Sequence, residues 1–252
     1  MTTDYKRIER LFVEARRASR TFAVPTGIVL RSNDDAYRIQ DMVFAQLSPS
    51  GRPAAWKAGA PNDQAEPTAA PIHALHGSPA TLATAGMNMI GVEAEIGFRL
   101  VRDLPARAEP YREEEVAAGV GEALVTIELC DTRLADWRNA PALWKLADFQ
   151  SNAALIVGTG TRDWRAIDFK QQRVELRIGE RSIAAAGSHP FGSPFRLMPW
   201  IVAHCARRAG GLRAGDIVTT GSWTGLELAR PGDEIVARFP AIGEAVLRLE
   251  RR

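Results

Sequence analysis

The sequence predicts an α+β protein with a helical N-terminal portion and a β-rich remainder, on three observations. Apolar residues recur at helical spacing through the first 47 residues. After Gly91 they fall into short runs, several alternating with period two, and Gly or Pro punctuates the gaps. One late helical stripe interrupts the β-rich part.

The elements follow in chain order. Thr2, Thr3 and Asp4 are candidate N-caps for a first helix carrying Ile8, Leu11, Phe12 and Ala15, which ends near Ser19. Pro25 and Gly27 break the pattern. Ser32-Asn33-Asp34-Asp35 then offers caps for a second helix marked by Ala36, Gln40, Val43, Phe44 and Leu47, whose apolar members alone are expected to face a core. From Ser48 to Pro79 the chain is rich in Pro, Gly, Ala and Ser, and reads as one short strand around Ala55-Trp56-Lys57-Ala58-Gly59 followed by a long mobile loop. Strands are predicted over Val92 to Val101, Ala123 to Leu129, Ala154 to Gly158, Arg173 to Ile178, Asp216 to Thr220, Glu234 to Phe239 and Ala245 to Glu250. Arg112 to Val120 reads as a short helix with acidic residues near its start. The late helix takes Ser193 as cap and Pro194 as first residue, buries Leu197, Met198, Ile201, Val202 and Cys205, and ends at Gly210-Gly211; Pro199 implies a kink or a later start.

Composition narrows the function classes. The 252 residues carry 32 basic and 30 acidic side chains, a net charge of +2, so no nucleic-acid or other polyelectrolyte partner is indicated. A 46% hydrophobic and 25% charged composition excludes a mainly disordered chain. No run approaches the ~20 apolar residues of a membrane span, and Met1 to Arg7 carries charges where a signal peptide needs an apolar stretch, so a cytoplasmic protein is expected. Cys130 and Cys205 sit in apolar-patterned segments and read as reduced, buried thiols.

Few residues invite chemistry. Glu93 and Glu95 lie two apart in a strand, so both project from one face while Val92, Ala94, Ile96 and Phe98 take the other; spacing alone allows a solvated acidic face. Glu128 is a charge inside the apolar run Leu124 to Leu129, which requires either a cation such as Arg133 or a bound ion. Three converging carboxylates would offer hard oxygen ligands to Mg²⁺ or Mn²⁺, and their mutual repulsion would strain the metal-free protein. Lys57, between Trp56 and Gly59, is placed for a partly desolvated ammonium, with the solvated lysine as the alternative. His73 and His76 are three apart, but Pro71 and Gly77 confine them to a loop and exclude a convincing zinc pair; His189 and His204 read as structural. No Gly-x-Ser-x-Gly elbow or phosphate-cradling loop is present.

The order of five segments carries more information than any one: Asp35-Ala36-Tyr37-Arg38-Ile39-Gln40, Trp56-Lys57-Ala58-Gly59, Val92-Glu93-Ala94-Glu95-Ile96-Gly97-Phe98, Ile127-Glu128-Leu129-Cys130-Asp131-Thr132-Arg133, and Gly215-Asp216-Ile217-Val218-Thr219-Thr220-Gly221. With the closing run Gly232 to Phe239, they resemble the fumarylacetoacetate hydrolase superfamily over nearly the whole chain, and within it the 2-keto-4-pentenoate hydratase and 4-oxalocrotonate decarboxylase branch. The resemblance implies a single catalytic domain over 1–252, with a helical portion at 1–65 and a β-roll wrapped about a helix at 66–252. It implies Mg²⁺ or Mn²⁺ held by Glu93, Glu95 and Glu128, with Lys57 at the substrate pocket and Thr220-Gly221 against the substrate carboxylate. The third ligand being Glu favours the hydratase and decarboxylase branch over the hydrolytic one. The family's loop acid after Trp-Lys-x-Gly has no clear counterpart in Pro61 to Gly77, where Asp63, Glu66, His73 or His76 could stand in, the two histidines being assigned the catalytic role. The implied activity is a hydratase acting on a 2-hydroxy-2,4-dienoate in aromatic-compound degradation. Its alternatives are a 2-oxo acid decarboxylase, an acylpyruvate carbon-carbon hydrolase and a non-catalytic metal-binding subunit. The implied partners are the small 2-oxo or 2-hydroxy-enoic acid, further copies of the chain, and a paired hydratase or decarboxylase.

Overall fold

In the computed structural model, residues 4–48 and 51–251 are described; the candidate caps Thr2 and Thr3 lie outside them. The Asp4 carboxylate accepts from the Arg7 amide at 3.0 Å and starts the helix Tyr5–Arg17, which buries Ile8, Phe12, Val13 and Ala15. The Ser32 hydroxyl does the same for Asp35 at 3.2 Å, opening Asn33–Leu47. Gln40 departs from expectation: it is buried with the apolar row, because its amide donates to the Ala69 and Leu146 carbonyls at 3.1 and 2.6 Å and so offsets its desolvation. These helices share one core with Trp144 and Phe149.

Two large sheets dominate the rest, with a small pair of Leu104–Pro105 and Gly211–Leu212 beside them. The larger runs in the order Thr68–Ile72, Ala55–Gly59, Ile217–Ser222, Gly91–Leu100, Val120–Cys130, Asn152–Thr161, Leu75–Gly77, with Glu227–Leu228 added beside Gly91–Leu100. The smaller runs Arg181–Ala186, Arg173–Ile178, Glu234–Phe239, Gly243–Leu249, Ala80–Leu82. They curl around the helix Met198–Ala209, whose Met198, Ile201, Val202 and Cys205 share a core with Val92, Ile96 and Phe98 of the large sheet and Leu176, Ile235 and Leu247 of the small one. Gly158 marks where the sheets nearly touch, since a Cβ there would fall 2.1 Å from the Glu244 carbonyl oxygen. Both cysteines are free and buried. No helix among the described residues is long and apolar enough to cross a membrane.

The stretch read as a long mobile loop contains two strands, Thr68–Ile72 and Leu75–Gly77. Pro71 hid the first, yet that strand is the edge of its sheet, where a residue without an N–H is tolerated. Ala55–Gly59, inside the stretch 1–65 assigned to the helical portion, is an interior strand of the large sheet. The late helix starts in two stages, a 3₁₀ turn over Pro194–Leu197 and then the α-helix from Met198, which puts Pro199 in the first turn, where its missing N–H costs nothing. Gly210, at φ +72°, ends it.

His204 of this helix packs among Tyr37, Trp56 and Trp200, with ring centroids 4.7, 6.0 and 5.1 Å away, and its Nε2 has no partner among the described residues. Burial, helped by the nearby Arg208 and Arg207 charges, lowers its pKa to about 4. The unfolded chain accepts this proton near pH 6.5. Stability from a neutral His204 is therefore complete above that pH and is lost as pH falls toward 4, to an extent of roughly 3 kcal/mol. His204→Phe, which keeps the ring packing, should flatten the acid slope by about that amount, measured by urea denaturation across that pH range.

Candidate active site

Strand alternation puts Glu93 and Glu95 on the face of Gly91–Leu100 opposite the roll core. Register then sets Glu93 directly across from Glu128 and Glu95 across from Thr126, so the three carboxylates share one face of two neighbouring strands. That face is not a solvated surface: Glu95 is 1% exposed, Glu128 0%, and Glu93 half-buried. Lys57 arrives from Ala55–Gly59, paired in parallel with Thr219. Its Nζ lies 2.6 Å from Glu128 Oε1 and 3.3 Å from the Gln150 carbonyl oxygen. The cation expected beside Glu128 is therefore Lys57, while Arg133 pairs with Asp131. Lys57 thus offsets one of the three carboxylates.

The remaining contacts are specific. Asn152 Nδ2 donates to Glu128 Oε1 at 3.0 Å, whereas Glu128 Oε2 is buried with no partner among the described residues. The Thr219 hydroxyl donates to Glu95 Oε2 and lies 3.0 Å from that of Thr126. Cys130, two residues beyond Glu128 and on the same face, directs its Sγ to Glu93 Oε2 at 3.7 Å. Ligand atoms of Glu93, Glu128 and Cys130 all lie within 4.8 Å of one another.

The charges perturb each other accordingly. Burial, reinforced by Glu128 and Glu93, pushes Glu95 up to about 8, and burial with Glu128 raises Glu93. Burial opposes the Lys57 ammonium, but the carboxylates, Glu128 foremost, hold its pKa above the ordinary lysine value.

The carboxylate face opens into a cavity of about 410 Å³. Lys57, Glu93 and Glu95 form its polar end, Thr220, Gly221 and Ser222 one side, and Pro61, Pro190, Phe191, Leu197 and Trp223 an apolar wall. Gly221 stands at φ +99°, a conformation that favours glycine and bares the backbone to a ligand. His189, which sequence reasoning set aside as structural, lines the cavity. Its Nε2 is 2.7 Å from the Thr220 carbonyl oxygen, which can only accept, so Nε2 carries the proton and Nδ1 accepts the Phe191 amide at 3.3 Å. Burial lowers its pKa. It is a neutral strut that fixes Thr220-Gly221.

His73 and His76, expected to be catalytic, do not line this cavity. His76 sits in Leu75–Gly77 at the far edge of the large sheet, opposite Ile156, and His73 is exposed just before it. Nor do Asp63 and Glu66 line it; both are exposed, and Asp63 pairs with Arg196 at 3.7 Å. Sequence reasoning missed Gln150 and Asn152. They follow Phe149 in a turn where Phe149, Gln150 and Ser151 all have positive φ, at 54, 52 and 63°, a conformation no propensity pattern announces.

Residues 52–250 match the family model described as "Fumarylacetoacetate (FAA) hydrolase C-terminal". The 2-keto-4-pentenoate hydratase of Paraburkholderia xenovorans (strain LB400) is 29% identical over 160 residues, 63% of this chain and 58% of that protein. A 4-oxalocrotonate decarboxylase of Pseudomonas putida is 25% identical over 158 residues, 62% of this chain and 59% of that protein. The similarity thus spans under two thirds of these relatives' length. Among solved structures, the 4-oxalocrotonate decarboxylase from Pseudomonas putida G7 complexed with magnesium and adipate has the same fold, with a TM-score of 0.82 at 18% identity over 98% of this chain and 99% of that one.

Removing one partner of a buried ion pair leaves the other uncompensated. Lys57→Met should therefore lower the unfolding free energy of the metal-free protein by about 3 kcal/mol or more, and adding Glu128→Gln should recover part of the loss. Urea denaturation of both single variants and the double should give a coupling of at least about 1 kcal/mol; additive losses would mean the pair contributes nothing as a pair.

Proposed function

The chain belongs to the fumarylacetoacetate hydrolase family, and from that premise we propose that it is a divalent-metal-dependent lyase: a hydratase of 2-hydroxy-2,4-dienoates, the enol form of 2-keto-4-enoates, serving aromatic-compound degradation. One observation carries the reading: Glu93, Glu95 and Lys57 line one cavity, with Glu128 buried directly across from Glu93 and bonded to Lys57. The residues fit a hard cation. Glu128 Oε2 is buried without a partner, and an all-oxygen set of three carboxylates suits Mg²⁺ or Mn²⁺. Bound there, the ion supplies Lewis acidity toward the carboxylate and 2-oxygen of the substrate.

The protein's own residues do the rest. Lys57, held as an ammonium, keeps a proton at Nζ at the polar end of the cavity, where it can be passed to the conjugated chain of the substrate. Thr220-Gly221, braced by His189, lines the side on which the substrate carboxylate rests. Phe191, Leu197 and Trp223 exclude water from the hydrocarbon end. Among the described lining residues Lys57 is the one cation; a diacid substrate needs a second counter-charge, so the lining favours the hydratase reading over decarboxylation of an oxalocrotonate. A cytoplasmic homo-oligomer, pairing with a decarboxylase of the same degradation sequence, belongs to the same proposal.

Incubation of 2-hydroxypenta-2,4-dienoate with protein and Mg²⁺ should bleach the conjugated absorbance and yield a 4-hydroxy-2-oxo acid. Chelation should abolish turnover, and Mg²⁺ or Mn²⁺ should restore it. Carbon dioxide release from a diacid would favour the decarboxylase, cleavage of an acylpyruvate the hydrolase, and metal binding without any turnover a non-catalytic subunit. Lys57→Met should lower kcat about 10²- to 10⁴-fold with Mg²⁺ binding retained; an unchanged kcat would remove the lysine from the chemistry.

A further inference from the structure

The ligand atoms that the structure gathers most closely are not the three carboxylates. They are Glu93, Glu128 and Cys130, all within 4.8 Å of one another, while Glu95 is turned to Thr219. Cys130 Sγ already lies 3.7 Å from Glu93 Oε2. Glu128, 0% exposed, keeps Oε2 unpartnered. We propose that this face holds a second, overlapping metal site, in which Glu93, Glu128 and the Cys130 thiolate bind a thiophilic cation of the Zn²⁺ or Cd²⁺ class.

Donor spacing supports it. Tetrahedral Zn²⁺ with bonds of about 2.0–2.3 Å places its ligand atoms roughly 3.4–3.7 Å apart, so the sulfur–oxygen distance already fits and the widest spacing needs to close by about 1 Å. Mg²⁺ gains nothing from sulfur, whereas Zn²⁺ and Cd²⁺ prefer it. Glu93 lines the cavity and gives the ion an entry path, and Glu128 can offer its unpartnered Oε2 while Lys57 stays on Oε1. The thiol proton leaves to solvent as the ion binds. The two sites share Glu93 and Glu128, so a thiophilic ion excludes the hard one. The inference uses the carboxylate face and does not depend on the reaction proposed for it.

The test uses Cd²⁺ as probe. Titration of the metal-free, full-length protein with Cd²⁺ should produce a thiolate-to-metal charge-transfer band in the near ultraviolet at one equivalent. Cys130→Ala and Cys130→Ser should both abolish the band and weaken Cd²⁺ binding about a hundredfold by calorimetry, while Mg²⁺ affinity changes little. Glu95→Gln should keep the band. Absence of the band in the wild-type protein, its persistence in both Cys130 variants, or an equal loss of Mg²⁺ and Cd²⁺ affinity in them would overturn the proposal. A Cd²⁺ band with no Mg²⁺ binding supports this site while removing the hard-metal reading, so the two fail separately.

Discussion

Burying three carboxylates on one face of two adjacent strands is the constraint around which the rest of this protein is arranged. An ionised carboxylate loses several kcal/mol on leaving water unless charge or hydrogen bonds replace the hydration. Lys57 supplies the charge and Asn152 a hydrogen bond. Thr219 serves Glu95. Each comes from a different part of the chain, so the large sheet must be assembled before the carboxylate face is tolerable.

The strand Gly91–Leu100 shows how one element serves two purposes. Its even-numbered side chains fill the roll core against the helix Met198–Ala209, and its odd-numbered glutamates face the cavity. A register slip of one residue would put carboxylates into the apolar core and phenylalanine into the site. Packing on one face therefore fixes the position of reactive groups on the other, and the pairing of Glu93 with Glu128 follows from that register.

The compensation is also incomplete in an informative way. Glu128 Oε2 has no partner, and Glu93 and Glu95 are both shifted toward the protonated form by burial and by their neighbours. A buried carboxylate cluster that is only partly neutralised, beside an open cavity, suits a cation. The left-handed turn at Phe149–Ser151 turns its Gln150 carbonyl toward Lys57, from which it accepts a hydrogen bond.

The sequence by itself determined what depends on local spacing. Period-two alternation placed Glu93 and Glu95 on one face, helical spacing and caps located the N-terminal helices, and the order of short segments carried the family resemblance. What only the tertiary structure decided are pairings between distant segments. Lys57, not Arg133, neutralises Glu128, because parallel pairing with Ile217–Ser222 aims it there while Arg133 turns to Asp131. His189 stands at the cavity while His76 lies in the edge strand Leu75–Gly77 and His73 in the short link between that strand and Thr68–Ile72, since strand order across a sheet is set by long-range packing and leaves no trace in residue spacing. The Thr68–Ile72 strand went unseen for a related reason: Pro71 reads as a breaker in isolation and is harmless only because assembly leaves that strand at an edge.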